Sequence, residues 1–472
     1  MKTSIFISFF LVTTLVFSQK KYDQVIQQID DNAVAYSTIA QNIWEFAEMG
    51  YQEKKSSQLL QSTLSSAGFK ITPGVADIPT AFVATYGSGS PVIAVLGEYD
   101  ALPGLSQKAV AYKVSNDGRA GHACGHHLFG TASAAAAIAL KTYLESNNKS
   151  GTIKFYGCPA EEGGSGKVYM TRAGLFDGVD VALHWHPGNK NAANPAAALA
   201  NKSAKFRFYG VSAHAAGAPE KGRSALDGVE AMNAMVNMMR EHIPSSSRIH
   251  YVITRGGEAP NVVPDFAEVY YYARHDRRDV VIELFDRIVN AAKGAAMGTG
   301  TTMDYEMIGG THELLGNTVL QDLVYESMNT LGGYQYTAEE RSFAEEISKS
   351  LKIPLDTSAV TGISPFNPNA RPGGSTDVGD VSFTVPTVGF STATWVPGTA
   401  AHSWQAVAAG GTSIGSKGMV LAAKTLALTG MQLLDDPQIL EAATKEFQSN
   451  RGKDFKYIPL LGDRAPALNY RN

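Results

Sequence analysis

Four short stretches of the chain gather histidine, cysteine and carboxylates in loop-like surroundings. They are Gly97-Glu98-Tyr99-Asp100-Ala101-Leu102-Pro103, Gly121-His122-Ala123-Cys124-Gly125-His126-His127, Pro159-Ala160-Glu161-Glu162-Gly163-Gly164 and Leu183-His184-Trp185-His186-Pro187. A thiolate, imidazoles and carboxylates together make a ligand set for a first-row transition metal, whereas Ca²⁺ or Mg²⁺ would call for oxygen ligands. Adjacent carboxylates on a loop do not readily point the same way. In Glu161-Glu162, one side chain can therefore bind metal while the other accepts a proton from a metal-bound water. A Glu-Glu pair by itself is usually a solvated surface pair. The flanking Pro159 and Gly163-Gly164, just past an apolar strand, set this one apart.

Residue type and spacing leave several choices open. Cys124 can be a ligand, a small buried hydrophobe, or half of a bridge to Cys158, the only other cysteine. Spacing gives His126 a modest preference over His127 and His122. His184 and His186 stand two apart and share a face on a continuing strand, with Trp185 opposite, so strand geometry does not choose between them. His402 follows the Pro397-Gly398 turn and is either a distant ligand or a hydrogen-bonded surface histidine. His214 reaches the site only if its own domain, or a partner's, folds over it. His242, His250, His275 and His312 lack supporting context and are assigned structural roles.

The elements that must position these residues alternate. Pro91 to Leu96, Thr152 to Tyr156 and Val179 to Leu183 are compact runs suited to strands. His126 to Leu144 is Ala-rich and helical, and Ser165 to Leu175 predicts a short helix. Residues 22 to 68 carry helical periodicity. This pattern predicts an α/β fold with a mostly parallel sheet between helices. Three of the four stretches follow strands directly, at the end where open α/β sheets bind ligands. The texture changes near Asn201. Lys205 to Val211, Arg248 to Thr254 and Ala267 to Arg274 alternate polar and apolar, Ser224 to Met239 and Val280 to Ala292 are helical, and Thr302 to Ile308 is a further strand. That is a small α+β unit inserted into the α/β domain. After Thr311 come helices, a strand from Thr387 to Phe390, a helix from Ser416 to Leu433 and, beyond Asp436, a less regular tail. The expected division is 1–18 signal, 19–200 first part of the catalytic domain, 201–310 inserted domain and 311–472 second part.

The 472 residues suffice for more than one core, and 44% hydrophobic with 18% charged residues excludes a largely disordered chain. Lys+Arg of 40 against Asp+Glu of 44 gives −4, so there is no basic excess to recommend a nucleic-acid partner. Two cysteines do not make a disulfide scaffold. Met1-Lys2, the apolar run Ser4 to Phe17 and the polar turn at Gln19-Lys20-Lys21 predict a secretory signal cleaved near Ser18, hence a secreted or periplasmic protein. No later segment is apolar for long enough to span a bilayer, so no membrane association is expected after cleavage.

Eight motifs in order, GEYDALPG, GHACGHHLFG, CPAEEGGSGKVYM, DVALHWHPG, SAHAAGAPEKGRSALDGVEAM, GGEAPNVVPDFAEV, GGSTDVGDVS and AHSWQAV, resemble the M20 metallopeptidases, in the amidohydrolase branch that cleaves N-acyl and N-aroyl amino acids. The resemblance implies an α/β catalytic domain interrupted by an α+β lid that forms a homodimer. It also implies two divalent ions per chain, Mn²⁺ or Zn²⁺, and a small-molecule amide substrate with a free carboxylate, of the aminobenzoyl-glutamate kind or a small dipeptide. Matched residue by residue, it makes Cys124, His126, Glu162, His186 and His402 the metal ligands and Glu161 the general base, with Asp100 orienting the metal site. His214 matches a histidine that crosses to the partner's site to stabilise the oxyanion. Asn261 and Arg274 match residues that hold the substrate, Arg274 by its carboxylate. The chain departs from the branch at His127, where Asp is common, at Cys158, where Gln is common, and in the additional His184. The competing expectation is a non-catalytic binding protein for acylated amino acids on the same fold; a carbamoylase is a third.

Overall fold

The computed structural model describes residues 22–115, 120–193, 198–365, 367 and 373–471. The expected signal, 1–18, lies outside them. In chain order the strands are β1 (Lys70–Pro73), β2 (Phe82–Ser88), β3 (Val92–Gly97), β4 (Leu102–Pro103), β5 (Ala120–Gly121), β6 (Gly151–Gly157), β7 (Val181–Gly188), β8 (Ala200–Tyr209), β9 (Arg248–Arg255), β10 (Phe266–His275), β11 (Thr302–Thr311) and β12 (Thr387–Ala393).

The larger sheet has the order β1-β2-β6-β3-β7-β12. Strands β6, β3, β7 and β12 are parallel, and β2 and β1 continue the sheet antiparallel. Strand β3 explains the layering. Ile93 and Val95 face a core shared with the helix His126–Ser146 and the long helix Ser413–Asp435. Ala94 and Leu96 face a second core with the helices Gly166–Arg172 and Val378–Ser382. Both faces are covered, which is why the strand reads as an unbroken apolar run.

The smaller sheet, β11-β8-β10-β9, is antiparallel throughout. Phe206, Phe208, Val269 and Tyr271 turn to one face and pack against the helices Ala225–Met239 and Arg278–Thr299. Alternation sends Glu268, Tyr270, Tyr272 and Arg274 to the other face. Where this sheet meets the rest of the chain, Asn201 lies opposite Thr311, and Asn201 Nδ2 donates to Thr311 Oγ1 at 2.8 Å.

Two local expectations change and one element is added. Strand β7 does not stop at Leu183: β12 pairs Gly389 with His184 and Ser391 with His186, so the ladder carries the strand through Pro187. The hairpin β1–β2 has a polar outer face that hides it from an apolar-run reading. The tail after Asp436 begins with a helix, Pro437–Arg451, whose N-terminus is set by the Asp436 side chain accepting from Gln438 N–H and by Pro437. No helix among the described residues is long and apolar enough to cross a membrane.

Candidate metal centre

The four stretches and His402 meet beyond the C-terminal ends of β3, β6 and β7. Glu98 and Asp100 follow β3. Cys124 precedes the helix His126–Ser146, whose N-cap, Gly125, has φ 76°; a Cβ there would sit 2.6 Å from that of Pro187, so only glycine fits. Glu161 and Glu162 follow β6 on a turn with Ala160 at φ 57° and Gly163 at φ 94°. His186 stands on β7 itself. His402, at φ 61°, is brought in from the far end of the chain by its N–H, which donates to the Ala123 carbonyl at 3.0 Å.

Three sets of potential ligand atoms lie within 4.8 Å of one another: Cys124–His126–His186, Cys124–Glu162–His402 and Glu98–His126–Glu161. Cys124 Sγ is 3.4 Å from His186 Nε2, and His402 Nε2 is 3.1 Å from Glu162 Oε1. The backbone carbonyl of Pro187 engages His186 Nδ1 at 2.8 Å, which turns Nε2 towards the cluster. Asp100 Oδ1 accepts from His126 Nδ1 at 2.8 Å, and Asp100 Oδ2 accepts the Glu162 N–H at 2.9 Å. One carboxylate thus orients a ring and the neighbouring loop, as partners of metal-binding histidines do.

The donor set fits a cation. Glu98 Oε2, His126 Nε2 and Glu162 Oε1 are buried atoms without a well-aligned hydrogen bond. Glu98 Oε2 and His126 Nε2 face each other at 3.0 Å, and Glu162 Oε1 faces His402. The two glutamates differ in environment. Burial first, then the charges of Glu98 and Glu162, push the Glu161 carboxyl well above the usual range. Burial acts the same way on Glu162, but the close contact with the His402 ring and the His126 charge outweigh it and hold Glu162 low. Unlike proton affinities in neighbouring carboxyls suit unlike roles. Burial and then the His126 charge push His186 down to about 4, keeping it neutral as a ligand must be.

Other candidates lie outside these three sets. His184 faces β12, where a Cβ on Gly389 would meet its Nε2 at 2.2 Å. The carbonyls of Ile43 and Gly410 engage His122 and His127 at 3.0 and 3.1 Å. Both cysteines are free thiols, and Cys158 Sγ donates to its neighbour Tyr156's carbonyl at 3.2 Å. His214 and Asn261 are exposed and joined to each other's segments, with Ala215 N–H donating to the Asn261 carbonyl at 3.1 Å. Arg274 is half-buried, its guanidinium 5.1 Å from the Tyr272 ring centre. No hydrogen bond found among the described residues carries these three to the metal cluster.

Four partners escape the sequence reading. Lys167 is fully buried; its Nζ donates to Glu98 Oε1 at 2.6 Å and to Asp377 Oδ1 at 2.7 Å, and its backbone N–H donates to Asp377 Oδ2 at 2.9 Å. The one signal for it is a lysine heading the run Lys167-Val168-Tyr169-Met170. From the other side, Tyr470 Oη and Arg471 Nη2 donate to the Glu162 carbonyl at 3.0 and 2.7 Å.

Residues 94–405 match the family model for peptidase family M20/M25/M40. The chain is 41% identical to one of the subunits of p-aminobenzoyl-glutamate hydrolase of Escherichia coli (strain K12), over 95% of this chain and 99% of that one. It is 29% identical to the Xaa-Arg dipeptidase of Mus musculus, over 89% and 91% of the two chains. Among solved structures, an aminobenzoyl-glutamate utilization protein from Klebsiella pneumoniae aligns with TM-score 0.61 at 19% identity, covering 87% of this chain and 98% of that one. A dinuclear metal-binding peptidase of the M20 family from Bacillus subtilis aligns with TM-score 0.60 at 16% identity, covering 86% and 99%. On the extent of the family match and of the identity to the Escherichia coli protein, the chain belongs to peptidase family M20/M25/M40 and is a hydrolase of that family.

Proposed function

We propose that this hydrolase cleaves the amide bond of N-acyl or N-aroyl amino acids, of the aminobenzoyl-glutamate kind, or of small dipeptides. The observation that carries the reading is the convergence of Cys124, His126, Glu162, His186 and His402 with Glu161 beside them. The names of the relatives support an amide substrate. Two divalent cations, Mn²⁺ or Zn²⁺, held by those five residues would polarise the amide carbonyl and acidify the attacking water. Glu161, the carboxyl whose surroundings favour the proton, takes one from that water and returns it to the leaving amine. Asp100 keeps His126 and the Glu162 loop in register throughout. Arg274 holds the substrate carboxylate with its planar fork and Asn261 the amide portion.

The partner subunit's His214 would reach the developing oxyanion in a homodimer formed through the smaller sheet and its helices. The exposure of His214 in a single chain supports this arrangement. The first eighteen residues support placing the enzyme in the periplasm or outside the cell.

The test is a substrate panel of aminobenzoyl-glutamate, acyl-amino acids and dipeptides, run with Mn²⁺ and with Zn²⁺, on the wild type and on Glu161→Gln. The expected result is turnover of at least one amide that falls by several orders of magnitude in the variant, with metal content unchanged. No turnover of any amide, or near-wild-type kcat in Glu161→Gln, overturns the proposal.

A further inference from the structure

We propose that Glu98 is a further ligand of the metal centre, and that Lys167 fixes it as a one-oxygen ligand. His126 sets the geometry. Asp100 takes the proton on its Nδ1, at 2.8 Å. That hydrogen bond turns Nε2 towards Glu98 Oε2, 3.0 Å away. An imidazole nitrogen and a carboxylate oxygen this close need a positive charge between them, which a ring proton supplies in the metal-free chain and a bound cation supplies in its place. Both atoms are buried and neither has a well-aligned hydrogen bond. Glu161 offers an oxygen within 4.8 Å of the same two atoms.

Glu98 is not free to turn away. Its other oxygen, Oε1, accepts from Lys167 Nζ at 2.6 Å, and Lys167 is itself anchored by both oxygens of Asp377. All three side chains are buried. A carboxylate with one oxygen committed to an ammonium and the other aimed at an imidazole nitrogen is preorganised to give one oxygen to a cation that the imidazole also binds. Lys167 lowers the negative charge of the cluster without occupying the ligand position, because its helix belongs to the opposite core, with Val168 and Met170. The centre then has six protein ligands: Cys124, His126, Glu162, His186, His402 and Glu98. Lys167 and Asp377 are positioning residues.

The inference rests on the five-ligand reading above, and the experiment separates the two. Purified protein is stripped with chelator and titrated with Mn²⁺. Bound metal is counted by equilibrium dialysis with elemental analysis, and its ligand field is followed by electron paramagnetic resonance. The wild type is expected to bind two ions. Glu98→Gln keeps the shape of the side chain and removes its charge. It is expected to bind one ion at least tenfold more weakly and to change the Mn²⁺ spectrum, with the cooperative unfolding transition retained. Glu98→Asp, which keeps the charge but shortens the reach, serves if Glu98→Gln does not fold, and the same weakening is expected. Two ions bound with wild-type affinities and an unchanged spectrum in the folded variant overturn the role of Glu98 alone. Failure of the wild type to bind a second ion overturns the centre as a whole.

Discussion

Replacing Lys167 by Met isolates the electrostatics beneath the metal cluster. The side chain is fully buried and bonds Glu98 at 2.6 Å and Asp377 at 2.7 Å. Removing one partner of a buried ion pair costs about 3–5 kcal/mol, because the other charge is left without compensation. Here one ammonium serves two carboxylates, which points to the upper end, about 5 kcal/mol. Against a total stability of about 5–15 kcal/mol, the protein should still fold. At about 2 °C per kcal/mol for a chain of this size, the melting temperature should drop by about 10 °C. The measurement is thermal unfolding by circular dichroism with excess chelator, so that no bound cation substitutes for the lost charge. Lys167→Arg, which keeps the charge, should lose less. Adding Asp377→Asn to Lys167→Met should recover part of the loss, with a coupling of at least about 1 kcal/mol in the double-mutant cycle. A melting temperature within about 2 °C of wild type, or strict additivity in the cycle, would refute the idea that this lysine compensates buried charge.

Two further outcomes follow from other parts of the structure. Burial, reinforced by the charges of Asp377 and Glu313, pushes the Asp380 carboxyl up to about 7, although the Tyr457 hydroxyl and the His312 N–H bond to it. The unfolded chain gives up this proton near its ordinary pKa of about 4, so stability contributed here falls as pH rises from about 4 to about 7, by on the order of 4 kcal/mol. Asp380→Asn should flatten that slope in urea midpoints measured from about pH 5 to about pH 8; an unchanged slope assigns the pH dependence elsewhere. At the other end of the site, Tyr470→Phe with Arg471→Ala removes two donors from the Glu162 carbonyl, about 1 kcal/mol each. Amide exchange over residues 160–165 should quicken about thirtyfold while the melting temperature falls by only a few degrees; unchanged exchange would show that the turn holds itself.

Legibility along the chain follows the kind of physics involved. Strand β3 is visible because burial on both faces leaves an unbroken apolar record, and the helix His126–Ser146 because its run of alanines favours helix. The candidate ligands are visible because Cys, His and Glu are costly to place near an apolar strand without a reason. His184 and His186 are indistinguishable in sequence because the decision lies in another strand: Gly389 leaves room for the His184 ring, and only the folded β12 reveals it. Lys167 and Asp377 are hidden for a similar reason. They stand 210 positions apart, and their pairing is a property of two helices meeting in one core. The hairpin β1–β2 leaves little trace because its outer face is wet.

The doorway at Asn201 and Thr311 has a consequence for how this architecture can change. The chain crosses into the smaller sheet on β8 and returns on β11, side by side, their ladder closed by the 2.8 Å bond between those two side chains. Two crossings zipped together make a ribbon, which flexes across its width yet resists sliding of one edge past the other. Arg464, donating to the Ile308 carbonyl at 2.6 Å, stays that ribbon like a guy-rope from the opposite end of the chain. Beyond the ribbon, Arg278 makes a second tie, its guanidinium 2.7 Å from Glu313 and stacked over Phe383 and Phe455, so the smaller sheet and its helices are held at two places rather than one.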